Sequence, residues 1–239
     1  MMTEAGISIQ FLSDLMQDRL LEEDVEQIDK GVTRKGAGAD KKKGIDHIAD
    51  AINHAYVNDK GELYIPRTWV HNCINEAARF QLIGKSSMTR FMGLVSVIGD
   101  NFLIMRNGKP VLIGECEVDK RHHNVHMNGQ ILKRIKYRTI LHVDDLNPVT
   151  ATFVLRWDDD TLSVVHIRQL LKDAGMMLGF GSYRPQHKGE FGKFMPIKIE
   201  LLRQWDLSDK CEVVGFPKIV AKATGNAKPA TKRGNKAVA

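Results

Sequence analysis

One stretch of the sequence, between the last predicted helix and the last predicted strand, is Leu178-Gly179-Phe180-Gly181-Ser182-Tyr183-Arg184-Pro185-Gln186-His187-Lys188-Gly189-Glu190-Phe191-Gly192-Lys193-Phe194. Glycine allows backbone conformations that other residues avoid and lets a second backbone come close. Exposed amides in such a loop can hold phosphate oxygens, and the cations of the stretch add positive charge. A dinucleotide-binding glycine motif follows a strand and opens a helix, whereas this one follows a helix and precedes a strand. The stretch therefore predicts a phosphate-contacting loop of a different kind, called the glycine loop below.

The segments on either side of the glycine loop carry the patterns of strands and helices. Upstream, residues 150–157 predict a strand and residues 164–174 an amphipathic helix; downstream, residues 196–205 predict the last strand. The other predicted elements are strands at 6–11, 61–66, 92–98, 101–105 and 111–118, helices at 13–28, 45–54 and 67–82, and a hairpin around Asn128-Gly129. Without insertions the order is β, α, β, β, α, β. It predicts an α+β, ferredoxin-like (RRM-like) antiparallel sheet with two helices and large insertions.

Positive charge is concentrated at the C-terminal end. The 239 residues contain 35 Lys+Arg and 29 Asp+Glu, a net charge of +6. Residues 217–239 contain six of the cations and no acid, so residues 1–216 are formally neutral. The composition of 217–239 leaves little to bury and predicts a disordered basic tail after one domain at 1–216. The tail is either a solubilising end or a mobile arm that binds any polyanion.

Other features of the composition exclude several classes of protein. The first residues lack the pattern of a signal peptide, and no apolar run is long enough to span a membrane. Cys73, Cys116 and Cys211 are far apart and form no C-x-x-C pair, so neither a disulfide framework nor a zinc site is expected. We expect a cytoplasmic protein without metal or cofactor.

The glycine loop, lying between a helix and the last strand, resembles the signature of the RAMP superfamily, the ferredoxin-like RNA-binding proteins of CRISPR effector complexes. Tyr64-Ile65-Pro66 resembles the start of the I-P-G-S-S motif of the backbone subunits, with Arg67-Thr68-Trp69 in place of Gly-Ser-Ser. Arg138-Thr139-Ile140-Leu141 and the linker before Thr152-Phe153 resemble the approach to the third strand of that family.

The resemblance covers roughly residues 60–205 and has several implications. The backbone subunits bind single-stranded RNA and assemble along it as a filament, so it implies a homo-oligomer or a multi-subunit ribonucleoprotein. It also implies a thumb-like insertion, at 84–138, between nucleotides. Similar loop endings occur in phage-encoded proteins, which implies a phage relative and a bacterial or phage-infected cell.

Two further segments are rich in cations. Residues 31–44 combine four glycines with five cations and predict an exposed loop within the domain. In the predicted hairpin at 119–138, alternating side chains put Arg134, Lys136 and Arg138 on one face and Tyr137 on the other. Such a hairpin either binds a single strand, with cations on phosphates and a ring for stacking, or is a charged solvated edge. The predicted nucleic-acid contacts are Arg34, Lys35, Lys41, Lys42, Lys43, Arg121, His122, Lys133, Arg134, Lys136, Arg138, Gly179, Gly181, Tyr183, Arg184, Lys188, Gly189, Gly192 and Lys193.

Some polar and aromatic residues have competing interpretations. His122 and His126 have metal-ligand spacing only on a helix, whereas Asn128-Gly129 favours a hairpin. The acids at 144–145 and 158–160 fit turns and helix caps better than a magnesium site. Core positions are predicted for Phe153, Trp157, Phe194 and Trp205, and Phe180 and Tyr183 are candidates for exposed stacking rings.

Together these patterns predict a protein that binds single-stranded RNA or single-stranded DNA and assembles as a filament along the strand. The alternative is a metal-independent endoribonuclease of the RAMP type, in which a loop histidine acts as general base on the 2′-hydroxyl. The candidate histidines are His122, His123, His126 and His187. A third interpretation is a phage or complex scaffold whose cationic tail aids assembly.

Overall fold

The computed structural model describes residues 1–21, 46–127 and 130–206, and for residues 122–127 and 130–136 it describes the backbone alone. The predicted loop at 31–44, residues 22–28 of the first predicted helix, the predicted tail and the predicted boundary at 216 lie outside the described residues. Within them the chain is α+β with a mostly antiparallel sheet, as the sequence predicts at this level.

The strands in chain order are β1 (Met2–Phe11), β2 (Leu15–Met16), β3 (Tyr64–Pro66), β4 (Leu82–Ile83), β5 (Ser86–Ser87), β6 (Val95–Ile98), β7 (Asn101–Arg106), β8 (Lys109–Pro110), β9 (Glu117–Met127), β10 (Gln130–Leu141), β11 (Val149–Asp158) and β12 (Phe194–Trp205). The α-helices are α1 (His47–Asn53), α2 (Arg67–Ala77) and α3 (Val164–Asp173). Short 3-10 segments lie at Ala78–Phe80, Met88–Leu94, Ile113–Glu115 and Pro185–His187, and a π turn at Ala174–Leu178 follows α3.

The main sheet has the strand order β12-β1-β11-β7-β3, with β6 also paired to β11 and β8 to β7. Its central strands alternate between two faces, as a pleated strand must. Ile7 on β1 and Phe153 on β11 are at most 1 % exposed, whereas Ser8 and Thr152 lie on the opposite face and share a hydrogen bond of 3.1 Å. One face of the sheet is therefore apolar and the other polar.

Helices α2 and α3 bury their apolar stripes in the same core as the sheet. The 3.6-residue pattern predicted over residues 67–82 is confirmed within α2 by the buried set Val70, Cys73, Ile74 and Ala77. The helix ends at Ala77, however, and Leu82 lies exposed on β4. Helix α3 buries Ile167, Leu170 and Leu171, and the Ser163 amide at its start donates to the His166 ring at 3.2 Å. No helix in the described part of the chain is long and apolar enough to cross a membrane.

Cys73 joins α2 to the start of the glycine loop. Its Sγ lies 3.3 Å from the carbonyl oxygen of Ala174 and 3.6 Å from that of Gly179. Burial raises the pKa of the Cys73 thiol to about 12. The thiol is therefore protonated at neutral pH and can donate to these carbonyls at both ends of the π turn.

Strands β9 and β10 form the predicted hairpin, whose register runs from Met127 opposite Gln130 to Glu117 opposite Ile140. Residues 128–129 themselves lie outside the described part. Strand β2 extends the hairpin to a three-stranded sheet. Helix α1, capped by the Asp46 side chain, lies against it, and the ring of His47 stacks on Tyr137 with centroids 4.2 Å apart. Within the insertion predicted at 84–138, only β9 and β10 belong to this hairpin, because β6 and β7 pair with β11.

The helix predicted over residues 13–28 is wrong for the described residues 13–21, which contain β2 and no helix. Leu15 and Met16 are adjacent and both fully buried. Neighbouring strand residues face opposite sides, so each enters a different apolar cluster: Leu15 the main core, and Met16 a smaller cluster with Ile140 and Phe191. The apolar residues of this segment therefore do not share one helical face.

Two predicted strands are shorter than expected. The strand predicted at 92–98 begins at Val95, because the preceding Met88–Leu94 is a 3-10 segment whose first turn is capped by the Ser87 side chain. The strand predicted at 111–118 is interrupted by the turn Ile113–Glu115, which closes when Glu115 accepts the Leu112 amide at 2.9 Å. In both places a side-chain hydrogen bond to the backbone competes with the sheet.

Candidate nucleic-acid interface

The glycine loop folds back closely on its own backbone. A Cβ on Gly192 would lie 1.8 Å from the carbonyl oxygen of Phe180, and a Cβ on Gly189 would lie 1.7 Å from that of Tyr183. Gly192 also has a φ of +69°. No larger residue fits at either position without moving the backbone, so these glycines are required by the packing of the loop.

Several of the loop amides that were predicted to bind phosphate instead donate hydrogen bonds within the protein. The amides of Gly179, Gly189 and Gly192 donate to the carbonyls of Ala174, Arg184 and Asp14 at 2.8, 3.1 and 2.7 Å, respectively. A Cβ on Gly181 would lie 2.3 Å from the carbonyl oxygen of Met16, so this glycine too is packed against backbone. Three of the four predicted glycine amides therefore already have partners within the protein, and the exposed side chains of the loop are the other groups that a ligand can contact.

A groove separates the glycine loop from the base of the hairpin. It consists of two cavities of about 420 and 380 Å³, which share Arg121, Glu190 and Phe191. The loop wall of the groove is formed by Tyr183, Lys188, Gly189, Glu190 and Phe191. The hairpin wall is formed by Asp14, Glu117, Val118, Asp119, Arg121, Ile140 and His142. Sequence reasoning selected Arg121, Tyr183, Lys188 and Gly189, and the structure brings these four together.

Arg121 and Phe191 lie where the two cavities meet. The Arg121 guanidinium carbon is 5.0 Å from the centre of the Phe191 ring, and its Nε donates to Asp119 at 2.6 Å. Phe191 is buried, while 40 % of the Arg121 side chain is exposed. Tyr183 packs against the same cluster, and burial raises the pKa of its hydroxyl. The centre of the groove therefore combines a cation with flat apolar surface.

Tyr183 and Lys188 have left-handed backbones, with φ of +53° and +62°. Such angles are uncommon outside glycine and are found where the surrounding structure enforces them, often at functional sites. Lys188 is exposed and forms no ion pair within the described residues. It is therefore a cation available to a ligand at the rim of the groove.

Arg184 and Lys193, the other predicted cations of the glycine loop, do not line the groove. The Arg184 Nε is buried and has no hydrogen-bond partner among the described residues, and the guanidinium is close enough to Cys73 to act on its pKa. Lys193 is half-buried, and its amide donates to the Ser13 hydroxyl at 3.0 Å. A buried N–H without a hydrogen-bond partner is costly, and anions are the partners that a guanidinium binds most strongly, so Arg184 is a second candidate contact away from the groove.

Arg138 is 7 % exposed and is bonded inside the protein. Its Nε donates to Asp18, and its Nη1 donates to the Tyr137 carbonyl at 2.6 Å. The side chain thus ties β10 to the segment after β2. Its contact with nucleic acid remains a prediction, and the groups that would make that contact already have protein partners.

Sequence reasoning missed the charged pairs of the hairpin wall. His142 Nδ1 lies 2.8 Å from Asp14, and its Nε2 lies 3.4 Å from Glu117. These carboxylates raise the pKa of His142, Asp14 most strongly. The Asp14 carboxylate also accepts the Val143 amide at 2.8 Å. Asp14 and His142 are far apart in the chain, and no local pattern links them.

For the remaining predicted contacts the structure describes either no atoms or the backbone alone. Arg34, Lys35, Lys41, Lys42 and Lys43 lie outside them, as do the side chains of His122, Lys133, Arg134 and Lys136. The backbones of these last four lie on β9 and β10. His122 and His126 are on a strand, where four residues span about 13 Å, so the helical metal spacing does not apply.

The other sequence interpretations can be checked directly. Turn chemistry is confirmed at Asp144, which accepts the Leu146 amide at 3.0 Å, and at Asp158, which accepts the Thr161 hydroxyl at 2.8 Å. Phe153, Trp157 and Phe194 are core residues as predicted. Trp205 is only half-buried and packs against the guanidinium groups of two arginines. Phe180 is wrong as an exposed ring, because it is 1 % exposed and stacks on Phe194 with centroids 4.4 Å apart.

Comparison with known proteins adds no relative: the chain matches no family model, and no curated protein matches its sequence. Among the described residues, no group of three or more His, Cys, Asp or Glu side chains could hold a metal ion. The case for a function therefore depends on the groove itself.

Proposed function

We propose that this protein binds single-stranded nucleic acid, RNA or DNA, in the groove between the glycine loop and the hairpin base. The observation that carries the proposal is one open groove with Lys188 at its rim and, at its centre, the partly exposed guanidinium of Arg121 lying over the buried Phe191 ring. Single strands are bound in this way, by cations along the backbone and by surfaces on which bases stack.

Several further features support this proposal. Arg184 offers a guanidinium without a partner among the described residues, on the same loop as Lys188. The hairpin strands bear cations in sequence well beyond the groove. A duplex keeps its bases stacked in pairs, whereas a single strand can place an unstacked base on a flat side chain such as Arg121.

We also propose that the core is ferredoxin-like. Support comes from the connectivity, in which α2 lies between β1 and the β6–β7 pair, and α3 lies between β11 and β12. The strand order, with β1 between β12 and β11, is consistent with two interleaved β-α-β units. Assembly along a strand, as the RAMP resemblance implies, stays a prediction that chromatography with and without a long oligomer would test.

The test is fluorescence anisotropy of labelled single-stranded RNA, single-stranded DNA and duplex DNA with the full chain across a salt series. In the double variant Arg184→Ala/Lys188→Ala we expect roughly tenfold weaker single-strand binding. The slope of log affinity against log salt should fall by about 0.7 for each phosphate that the variant no longer neutralises.

The matched control is Lys85→Ala/Arg90→Ala, which removes the same charges from exposed residues that do not line the groove. The control has the same reduced net charge and should keep the affinity of the wild type. Equal losses of affinity in both double variants would mean that overall charge alone drives binding. Undetectable binding of every single strand would reject the proposal.

A second candidate function, a metal-independent ribonuclease, is favoured by one observation. The His142 ring is oriented by Asp14 and lines the same groove, so in its neutral form, with Nδ1–H donating to Asp14, the Nε2 beside Glu117 could accept a proton from a ribose 2′-hydroxyl. Labelled RNA incubated in EDTA should then be cleaved by the wild type and not by His142→Gln. Intact RNA after long incubation with the wild type would exclude this function without affecting the binding proposal.

A further inference from the structure

We propose that the groove discriminates between bases, with the Glu190 carboxylate accepting a hydrogen bond from the exocyclic amino group of a base stacked on Arg121. The predicted preference is for cytosine, adenine or guanine over uracil or thymine. The inference rests on the proposed function and names the chemical class that the groove selects.

Four carboxylates line the groove. Asp119 is paired with Arg121, and both Asp14 and Glu117 are paired with His142. Glu190, which lines both cavities, accepts no hydrogen bond and forms no ion pair within the described residues. Three of the four acids therefore have a basic side chain as partner, and Glu190 is the acceptor that remains.

Only some groups of a bound nucleic acid can contact the Glu190 carboxylate favourably. An ionised carboxylate only accepts hydrogen bonds, and it repels phosphate oxygens, which also only accept. Phosphates therefore belong near Lys188, at the rim. The partner of Glu190 must be a donor, and cytosine, adenine and guanine each carry an exocyclic amino group, which in cytosine is the group that carboxylates read on base edges. Uracil and thymine have a carbonyl where cytosine has its amino group, and their one ring donor, N3–H, lies between two carbonyl oxygens that the carboxylate repels.

The backbone that carries Glu190 is held on both sides by hydrogen bonds. The residues on both sides of Glu190 are bonded to the strained turn across the loop: the Gly189 amide to the Arg184 carbonyl at 3.1 Å, and the Phe191 amide to the Tyr183 carbonyl at 3.1 Å. Gly189 itself packs closely on the same turn, since an added Cβ would lie 1.7 Å from the Tyr183 carbonyl oxygen. Glu190 is therefore presented from a rigid backbone, as selective recognition requires.

A stacking surface lies beside Glu190 in the groove. The Arg121 guanidinium lies over the Phe191 ring, and its Nε is held by Asp119, so the plane of the group is fixed. The side chain is 40 % exposed, which leaves surface for a second flat group. Bases stack on arginine planes in single-strand recognition. A base on Arg121 lies in the part of the groove that Glu190 also lines.

The experiment compares two labelled decanucleotides, oligo(C) and oligo(U), in RNA form and again in DNA form, by anisotropy with the full chain. Within each pair the sugar and the charge are constant, so only the base differs. We expect wild type to bind the cytosine oligomer roughly five- to tenfold more tightly. Glu190→Gln removes the charge and keeps the shape, and it should bring the ratio close to one. Asp59→Asn, at an exposed acid outside the groove, should leave the wild-type ratio unchanged.

The outcomes separate this inference from the function on which it rests. Tight binding of both oligomers with equal affinity would overturn base discrimination and leave single-strand binding intact. A second result would also overturn base discrimination: equal affinities for C and U, together with a preference for RNA over DNA that Glu190→Gln removes. That result would mean that the carboxylate accepts from the 2′-hydroxyl instead of from a base. Failure to bind any oligomer would reject both proposals.

Discussion

The two walls of the groove are held in place by different forces. The loop wall is fixed by backbone hydrogen bonds and by glycines that allow the backbone to approach itself, as at Gly192. The hairpin wall is fixed by pairs of charged side chains, Arg121 with Asp119 and His142 with Asp14. The loop wall should therefore be sensitive to a single added methyl group and indifferent to pH, whereas the hairpin wall should respond to pH and to the loss of charges.

The largest effect is expected at the loop wall, from Gly192→Ala. The new Cβ meets the Phe180 carbonyl at 1.8 Å, and the φ of +69° is unfavourable for alanine. We expect a loss of roughly 2–4 kcal/mol in the free energy of unfolding, measured by urea denaturation. Gly93→Ala is the control, because nothing lies within 4 Å of its added Cβ. Equal stability of the two variants would show that the loop backbone is not tightly packed.

A somewhat smaller effect is expected at the hairpin, from Arg138→Ala. The side chain is 9 % exposed and pairs with Asp18, so its removal leaves that carboxylate without its buried cation. We expect a loss of roughly 2–3 kcal/mol in the free energy of unfolding. Arg79→Ala, which breaks an exposed pair with Glu76, should cost less than about 0.5 kcal/mol. If Arg138→Ala were as mild as Arg79→Ala, the buried charge pair would not be what holds β10 to the segment after β2.

The smallest effect is the pH dependence of the hairpin wall through His142. Its raised pKa means that the folded protein favours the protonated ring. This stabilisation is fully present below the ordinary pKa of about 6.5 and is lost as the pH rises through the raised folded value. Because half of the side chain is exposed, the effect should be at most a few tenths of a kcal/mol.

An NMR titration of His142 measures this effect directly, and Asp14→Asn should move the midpoint down towards the ordinary value. The difference in unfolding free energy between wild type and His142→Gln should be larger at pH 5.5 than at pH 8.5. His187→Gln, at an exposed histidine outside both cavities, should show no such difference. If the titration midpoint of His142 were the same in Asp14→Asn as in the wild type, the pairing of His142 with Asp14 would be contradicted.

The same contrast explains how much the sequence could predict. The loop wall and most of the sheet could be predicted because the patterns that indicate them involve residues close together in the sequence. Glycine spacing indicates the loop, and two-residue alternation indicates strands such as β11 and those of the hairpin. The hairpin wall depends on pairs such as Asp14 with His142. These residues are far apart in the sequence, so no sequence pattern predicts that they are in contact. The failed helix at 13–21 has the same cause, since Leu15 and Met16 enter two clusters built by distant parts of the chain. In sequence Glu190 is one acid in a basic stretch, and only its position between the cavities gives it a role.

The buried thiol of Cys73 has a practical consequence for measuring motion. Its Sγ contacts the carbonyls at both ends of the turn that leads into the glycine loop, and with a pKa of about 12 it reacts with thiol reagents only after that turn opens. The rate of labelling at Cys73 therefore reports the frequency of local opening. A nucleic-acid strand bound in the groove should slow the labelling of Cys73. The labelling rate with and without the strand therefore measures how strongly binding in the groove reduces the opening of the turn.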